Sequence, residues 1–287
     1  MILAALFLGA LGLADLTRVR GGSRARHDDR PATVPTATRS TIVGAALGIA
    51  AFVLASVGSG LDWWWSPIAA AAIIGWLAAT REDGTAGSRD RRAGYWALGA
   101  LGAVIVAAFA WGPRLPMPRG PLVDWYDALP YGALVEISFT TFVLIVGATL
   151  FLVETSNVIV RLALRGERSA PTPALPQLQT QTPQPAPTPR WWRRTPTLAT
   201  PESVAPPFVE LKGGRFIGPL ERIFLFALVL TGQFTAIAAL VAAKGIIRFP
   251  EISKDTSGGS KAEYFLVGSF ASWALVLVVS VLVFLGA

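Results

Sequence analysis

The chain of 287 residues has no cysteine and a single histidine, His27. Without thiols there are no disulfides, thiolate metal sites, iron-sulfur clusters or cysteine nucleophiles. One imidazole beside Asp28, Asp29 and several arginines cannot build a usual zinc site and reads as a solvated loop residue. Charge is also scarce. Asp, Glu, Lys and Arg make up 15% of residues against 53% in the hydrophobic set, and they cluster between long apolar runs instead of alternating through them. That is the composition of a membrane protein, with the lipid bilayer as its first partner. Also missing are a Ser/His/Asp set, a Walker-type glycine-lysine motif and a carboxylate cluster of metal-ligand spacing. The expectation is therefore no enzyme, and no catalytic, cofactor or metal residue is assigned.

The net charge of +7 is carried by arginine far more than lysine, 21 against 4. The positions of these residues argue for membrane topology and against nucleic acid. Arginine over lysine, with much alanine, reads as a bacterial gene of high GC content, which places the protein in the bacterial inner (plasma) membrane.

Seven apolar segments can be marked: Ile2 to Leu16, Thr41 to Gly58, Trp63 to Thr80, Ala93 to Gly112, Ala133 to Leu164, Leu220 to Phe249, and Glu263 to Leu285. The first is short, since ~20 residues are needed to cross ~30 Å of hydrocarbon. A signal peptide carries its positive charge before the apolar run, whereas Arg18 and Arg20 follow it, so an uncleaved helix is expected. Trp63, Trp64 and Trp65 suit an interfacial belt, and on a helix they would point about 100° apart. Gly94, Gly99 and Gly102 offer the fourth helix a small-residue surface for close contact. Asp124-Trp125-Tyr126-Asp127 reads as an interfacial turn; its carboxylate pair has no third ligand.

From Ser169 to Pro207 the composition changes: eleven of the 21 prolines lie here among Thr, Gln, Ala and Ser. Such a segment cannot bury a core and reads as disordered with polyproline II character. Within it Arg190, Trp191, Trp192, Arg193 and Arg194 combine aromatic and basic groups as a membrane-surface anchor would. The fold class is thus an all-α membrane protein of about seven transmembrane helices, or six if the first is cleaved or non-spanning. Residues 1–165 form a membrane domain of about five helices, 166–215 a disordered proline-rich cytoplasmic linker, and 216–287 a two-helix membrane unit.

With the N-terminus outside, alternate assignment puts nineteen basic residues on the cytoplasmic side (in 18–39, 81–92 and 161–222) and six outside: Arg114, Arg119, Lys244, Arg248, Lys254 and Lys261. The rule that basic residues stay inside then predicts N-out and C-in, with the linker cytoplasmic. Arg222, Gln233 and Lys244, eleven residues apart, fall near one face of the sixth segment, read as a single spanning helix. Glu136 and Glu154 share one face of the fifth. Antiparallel packing would set Arg222 level with Glu154 and Lys244 level with Glu136, with Gln233 midway. These five residues are the candidate helix-pairing or polar-path residues.

The sequence from Leu220-Glu221-Arg222 through Gly232-Gln233-Phe234, Lys244-Gly245, Arg248-Phe249-Pro250-Glu251 and Ala262-Glu263-Tyr264-Phe265 resembles the C-terminal helix pair of an uncharacterised family of bacterial integral membrane proteins, a domain of unknown function. The resemblance covers Leu220 to Ser272. It implies no activity, and it marks Glu221, Arg222, Gln233, Lys244, Arg248, Glu251 and Glu263 without giving them roles. The functional expectation is a membrane-embedded interaction or scaffold component that meets a protein partner through its proline-rich linker. The alternative is a transporter or channel subunit using Glu154, Gln233 and Lys244. Oligomeric state is not legible.

Overall fold

The computed structural model describes residues 1–25, 36–80, 88–132, 136–165, 214–253 and 260–287, and within these the regular elements are all helical. They are α1 (Ile2–Ala25), α2 (Thr36–Gly58), α3 (Trp65–Ala79), α4 (Ser88–Trp111), α5 (Pro121–Asp127), α6 (Phe139–Leu150), α7 (Ser156–Arg165), α8 (Gly214–Leu230), α9 (Phe234–Ser253) and α10 (Ser260–Gly286). A short 3-10 turn, Gly112–Arg114, ends α4, and one π-helical turn, Phe151–Thr155, joins α6 to α7. Four stretches are long and apolar enough to cross a membrane: Arg39–Gly58, Ala93–Arg114, Phe139–Leu164 and Ala262–Gly286. The proline-rich linker lies outside the described residues.

The short first segment turns out to be the centre of the bundle. Leu3 to Leu8, Ala10, Leu11 and Ala14 of α1 are all buried. A helix buried on all sides must be approached closely by its neighbours, and glycine permits this. A Cβ on Gly12 would meet the Leu150 carbonyl oxygen at 2.6 Å, and Cβ atoms on Gly44 and Gly48 of α2 would meet the Ala14 and Ala10 carbonyls at 2.6 and 2.8 Å. The outside of the bundle is apolar in turn: Leu54 and Val57 on α2, Val106 on α4, Ile246 and Ile247 on α9, and Val278 on α10 stand exposed. Water would not favour such a surface, and hydrocarbon does.

Contacts at the two ends order the helices. Gly286 lies against Met1, where a Cβ would come 3.3 Å from the Met1 sulfur; at the other end Gly94 meets Leu162 and Gly268 meets Leu164. Among the described residues, α1, α2, α3, α4, α6–α7 and α10 pack side by side between these two ends. Met1 and Gly286 lie at one end of the bundle, whereas seven alternating passes would have put them at opposite ends.

The reason is that the sixth apolar segment is two helices and not one span. Gly232 adopts φ 68°, a left-handed conformation natural to glycine after a helix C-terminus. The Gln233 N–H donates to the Leu228 carbonyl (2.9 Å) and the Gly232 N–H to the Val229 carbonyl (3.1 Å). That pair of bonds closes α8 and turns the chain back as α9, so that Lys244 returns to the level of Glu221.

Other local expectations also shift. Helix α3 begins at Trp65, leaving Trp63 and Trp64 in the preceding turn, and the Trp64 and Trp65 rings stack at 5.2 Å instead of diverging. Gly99 and Gly102 face open space; only Gly94 of that trio makes a close helix contact. The Asp124–Asp127 stretch is helical. Tyr126 there is buried and donates to the Ile137 carbonyl at 2.8 Å. Burial first, and the Asp127 charge second, push its hydroxyl above the ordinary tyrosine pKa.

Candidate functional site: charged groups around the π turn

At the end of the bundle where α7 leads into the linker, five charged side chains, from α1, α7, α8 and the π turn itself, gather around that turn. A π turn widens the helix and frees carbonyls from their usual partners, a disruption that recurs at functional sites. Here the carbonyls are taken up by side chains. Leu152 O accepts from Ser156 Oγ (2.5 Å) and from Arg222 Nε of α8 (2.9 Å). Val153 O accepts from Asn157 Nδ2 (3.2 Å) and Arg222 Nη2 (3.5 Å), and Arg222 Nη2 also donates to Asn157 Oδ1. Arg222, only 3% exposed, is thus inserted into the bulge.

Glu154, on the turn itself, accepts from Asn157 Nδ2 at 3.3 Å and pairs with Arg161 at 3.9 Å. Its charge also attracts the Arg222 guanidinium. On the α1 side Asp15 is fully buried. Its Oδ2 accepts from Trp76 Nε1 of α3 at 2.9 Å, and its Oδ1 faces Arg18 Nη2 at 3.6 Å. Arg18 in turn donates to Thr80 Oγ1 (3.0 Å) and to the Leu77 carbonyl (3.3 Å), capping α3. Asp15 Oδ1 and Thr155 Oγ1, both buried, have no hydrogen-bond partner.

A second set sits one residue away on α8. Glu221 accepts from Lys244 Nζ through both oxygens, at 2.6 and 2.8 Å, and from Trp273 Nε1 of α10 at 3.2 Å. Lys244 also lies over the Trp273 ring, 5.5 Å from its centre. The adjacent pair Glu221-Arg222 therefore ties α8 in two directions, Glu221 to α9 and α10, Arg222 to the π turn.

The structure brings Arg222 and Glu154 into one cluster. It does not bring Lys244 to Glu136. Glu136 precedes α6, exposed in a turn, so it does not share a helical face with Glu154, and Lys244 is taken by Glu221. Gln233 is exposed at the turn between α8 and α9, not midway along a span. Arg190, Trp191, Trp192, Arg193 and Arg194 lie outside the described residues. Sequence reasoning missed Asp15, Arg18, Trp76, Thr155 and Asn157. One signal was present: Asp15 is the sole charge in the first apolar segment, with Arg18 one turn on, and a charge there needs a partner.

Chemically the arrangement holds and neutralises charge. Among the described residues no three His, Cys, Asp or Glu side chains come together as a metal-holding group. Compared with protein-family models, curated proteins and solved structures, the chain matches none of them.

Proposed function

We propose that the protein is a multi-pass integral membrane scaffold of bacterial plasma membranes, in which the charged cluster fixes both ends of a linker that recruits a protein partner. The observation that carries this reading is the position of Arg222. Residues 166–213 leave from α7 and return into α8, and Arg222 of α8 is bonded to Leu152, Val153 and Asn157 at the start of α7. Arg222 thereby ties the helix that follows the linker to the π turn just before the helix that precedes it, and a proline-rich loop anchored in this way would dock into a partner's aromatic groove at low entropic cost. The charge distribution supports six crossings and a hairpin that re-enters on the linker side. With α9 turned back, Lys244 and Arg248 on α9 and Lys261 at the start of α10 fall toward the linker end, while Arg114 and Arg119 fall toward the other. By the charge rule the linker end is cytoplasmic and both termini are outside.

The test deletes residues 170–206 in the full chain and compares what copurifies in mild detergent. Loss of a specific partner with an unchanged unfolding midpoint supports recruitment. An identical set of copurifying proteins removes it. A second reading, a transporter or channel subunit, is favoured by the fully buried Asp15 carboxylate, paired with Arg18, beside a π turn. It requires flux in proteoliposomes that disappears in Asp15→Asn.

A further inference from the structure

Between α3 and α4 the bundle leaves a crevice of about 490 Å³, within the range of ligand pockets. Its lining is predominantly apolar, and small residues make it hollow: Ala72 and Gly75 on α3, Ala97 and Ala100 on α4. A Cβ built on Gly75 meets nothing within 4 Å. The floor is Trp76, 3% exposed, whose ring is fixed by its bond to Asp15; the rim is Trp96, 79% exposed. The crevice therefore opens sideways on the apolar outer surface, is preformed, and cannot hold water in comfort.

We propose that this crevice binds one acyl chain of an anionic phospholipid from the leaflet at the linker end. Three features select that occupant. The lining runs along α4 from Ala93 to Val104, roughly 16 Å at 1.5 Å per residue, about one leaflet of a ~30 Å hydrocarbon core. The opening faces the apolar exterior, where lipid chains are the available filling. At its outer end the lining stops at Ala93, immediately after Arg89, Arg91 and Arg92 in the first turns of α4. Three arginines this close in sequence to the end of the lining supply the charge that a lipid phosphate complements.

The experiment uses the full chain, purified in mild detergent after exchange into equal phosphatidylglycerol and phosphatidylcholine, with retained lipid counted by native mass spectrometry. Wild type is expected to keep one phosphatidylglycerol per chain, in at least tenfold excess over phosphatidylcholine. Gly75→Leu, which fills the crevice, loses it. Gly99→Leu, on the open face of α4 outside the crevice, keeps it, and Arg89→Gln/Arg91→Gln/Arg92→Gln retains a lipid with the headgroup preference gone. No retained lipid on wild type, equal retention in Gly75→Leu, or a second copy of the chain crosslinking through position 75 in place of lipid would overturn the assignment. Should Gly75→Leu not fold, a photoreactive acyl chain on wild type decides: labelling of the peptides carrying Trp76 or Trp96 supports the site, and labelling elsewhere alone refutes it.

Discussion

Replacing Arg222 by methionine removes the guanidinium while keeping an unbranched chain of similar reach. Two of its bonds, to the Leu152 carbonyl at 2.9 Å and to Asn157, come from a charged donor, and such bonds contribute ~1.5–3 kcal/mol each. The π-turn carbonyls are not orphaned by the change, because Ser156 Oγ and Asn157 Nδ2 still donate to them. Glu154 keeps Asn157 and Arg161 but loses a buried countercharge. Together the two bonds are worth ~3–6 kcal/mol, partly offset because the guanidinium no longer has to be desolvated. The low end, ~3 kcal/mol, is expected. At about 2–4 °C per kcal/mol for a chain of this size, the unfolding midpoint in detergent falls by roughly 6–12 °C. Arg222→Lys recovers less than half, since an ammonium cannot fork between a carbonyl and Asn157. Combined with Asn157→Leu, the methionine variant should show a coupling of at least ~0.5 kcal/mol. An Arg222→Met midpoint within about 2 °C of wild type, or strict additivity with Asn157→Leu, would falsify the claim that Arg222 holds α8 on the π turn.

Gly12→Leu drives a side chain into the Leu150 backbone and is expected to abolish the folded monomeric peak in size-exclusion chromatography, whereas Gly99→Leu changes the midpoint by no more than the ±0.5 kcal/mol of an uninvolved surface position. Gly232→Ala places a Cβ at φ 68° and should cost about 1–2 kcal/mol in thermal unfolding; no change would mean the turn between α8 and α9 is not held there. Lys244→Met strands Glu221 and should destabilise more than the double variant Glu221→Met/Lys244→Met, an order that calorimetry can reverse. The stability tied to the raised Tyr126 pKa is complete below the unfolded value near 10 and is lost as pH rises through the higher folded value. Wild type should therefore fall faster than Tyr126→Phe in unfolding midpoints taken above pH 10, and parallel curves would remove Tyr126 from that loss.

The helices themselves were legible in the chain. Apolar runs of about 20 residues have few alternatives in hydrocarbon, so α2, α4, α6–α7 and α10 follow from hydropathy. The turn at Gly232 was also written locally, as a glycine between Thr231 and Gln233. It was hidden because Leu220 to Phe249 stays apolar on both sides, and hydropathy does not record direction. The single-helix reading then sent Lys244 to the wrong end and paired it with Glu136.

What the sequence by itself determined is the solvent, the set of apolar helices and the crowding of arginine and lysine into a few connecting segments, because each depends on composition within one stretch of chain. Only the tertiary structure decided which charges meet. Asp15 finds Trp76, and Arg222 finds the carbonyls of Leu152 and Val153, across about 60 to 70 residues of chain. No periodicity along one helix specifies a partner on another. That choice is made by close approach, where Gly12 lets the π turn lie against α1 and Gly232 folds α9 back on α8.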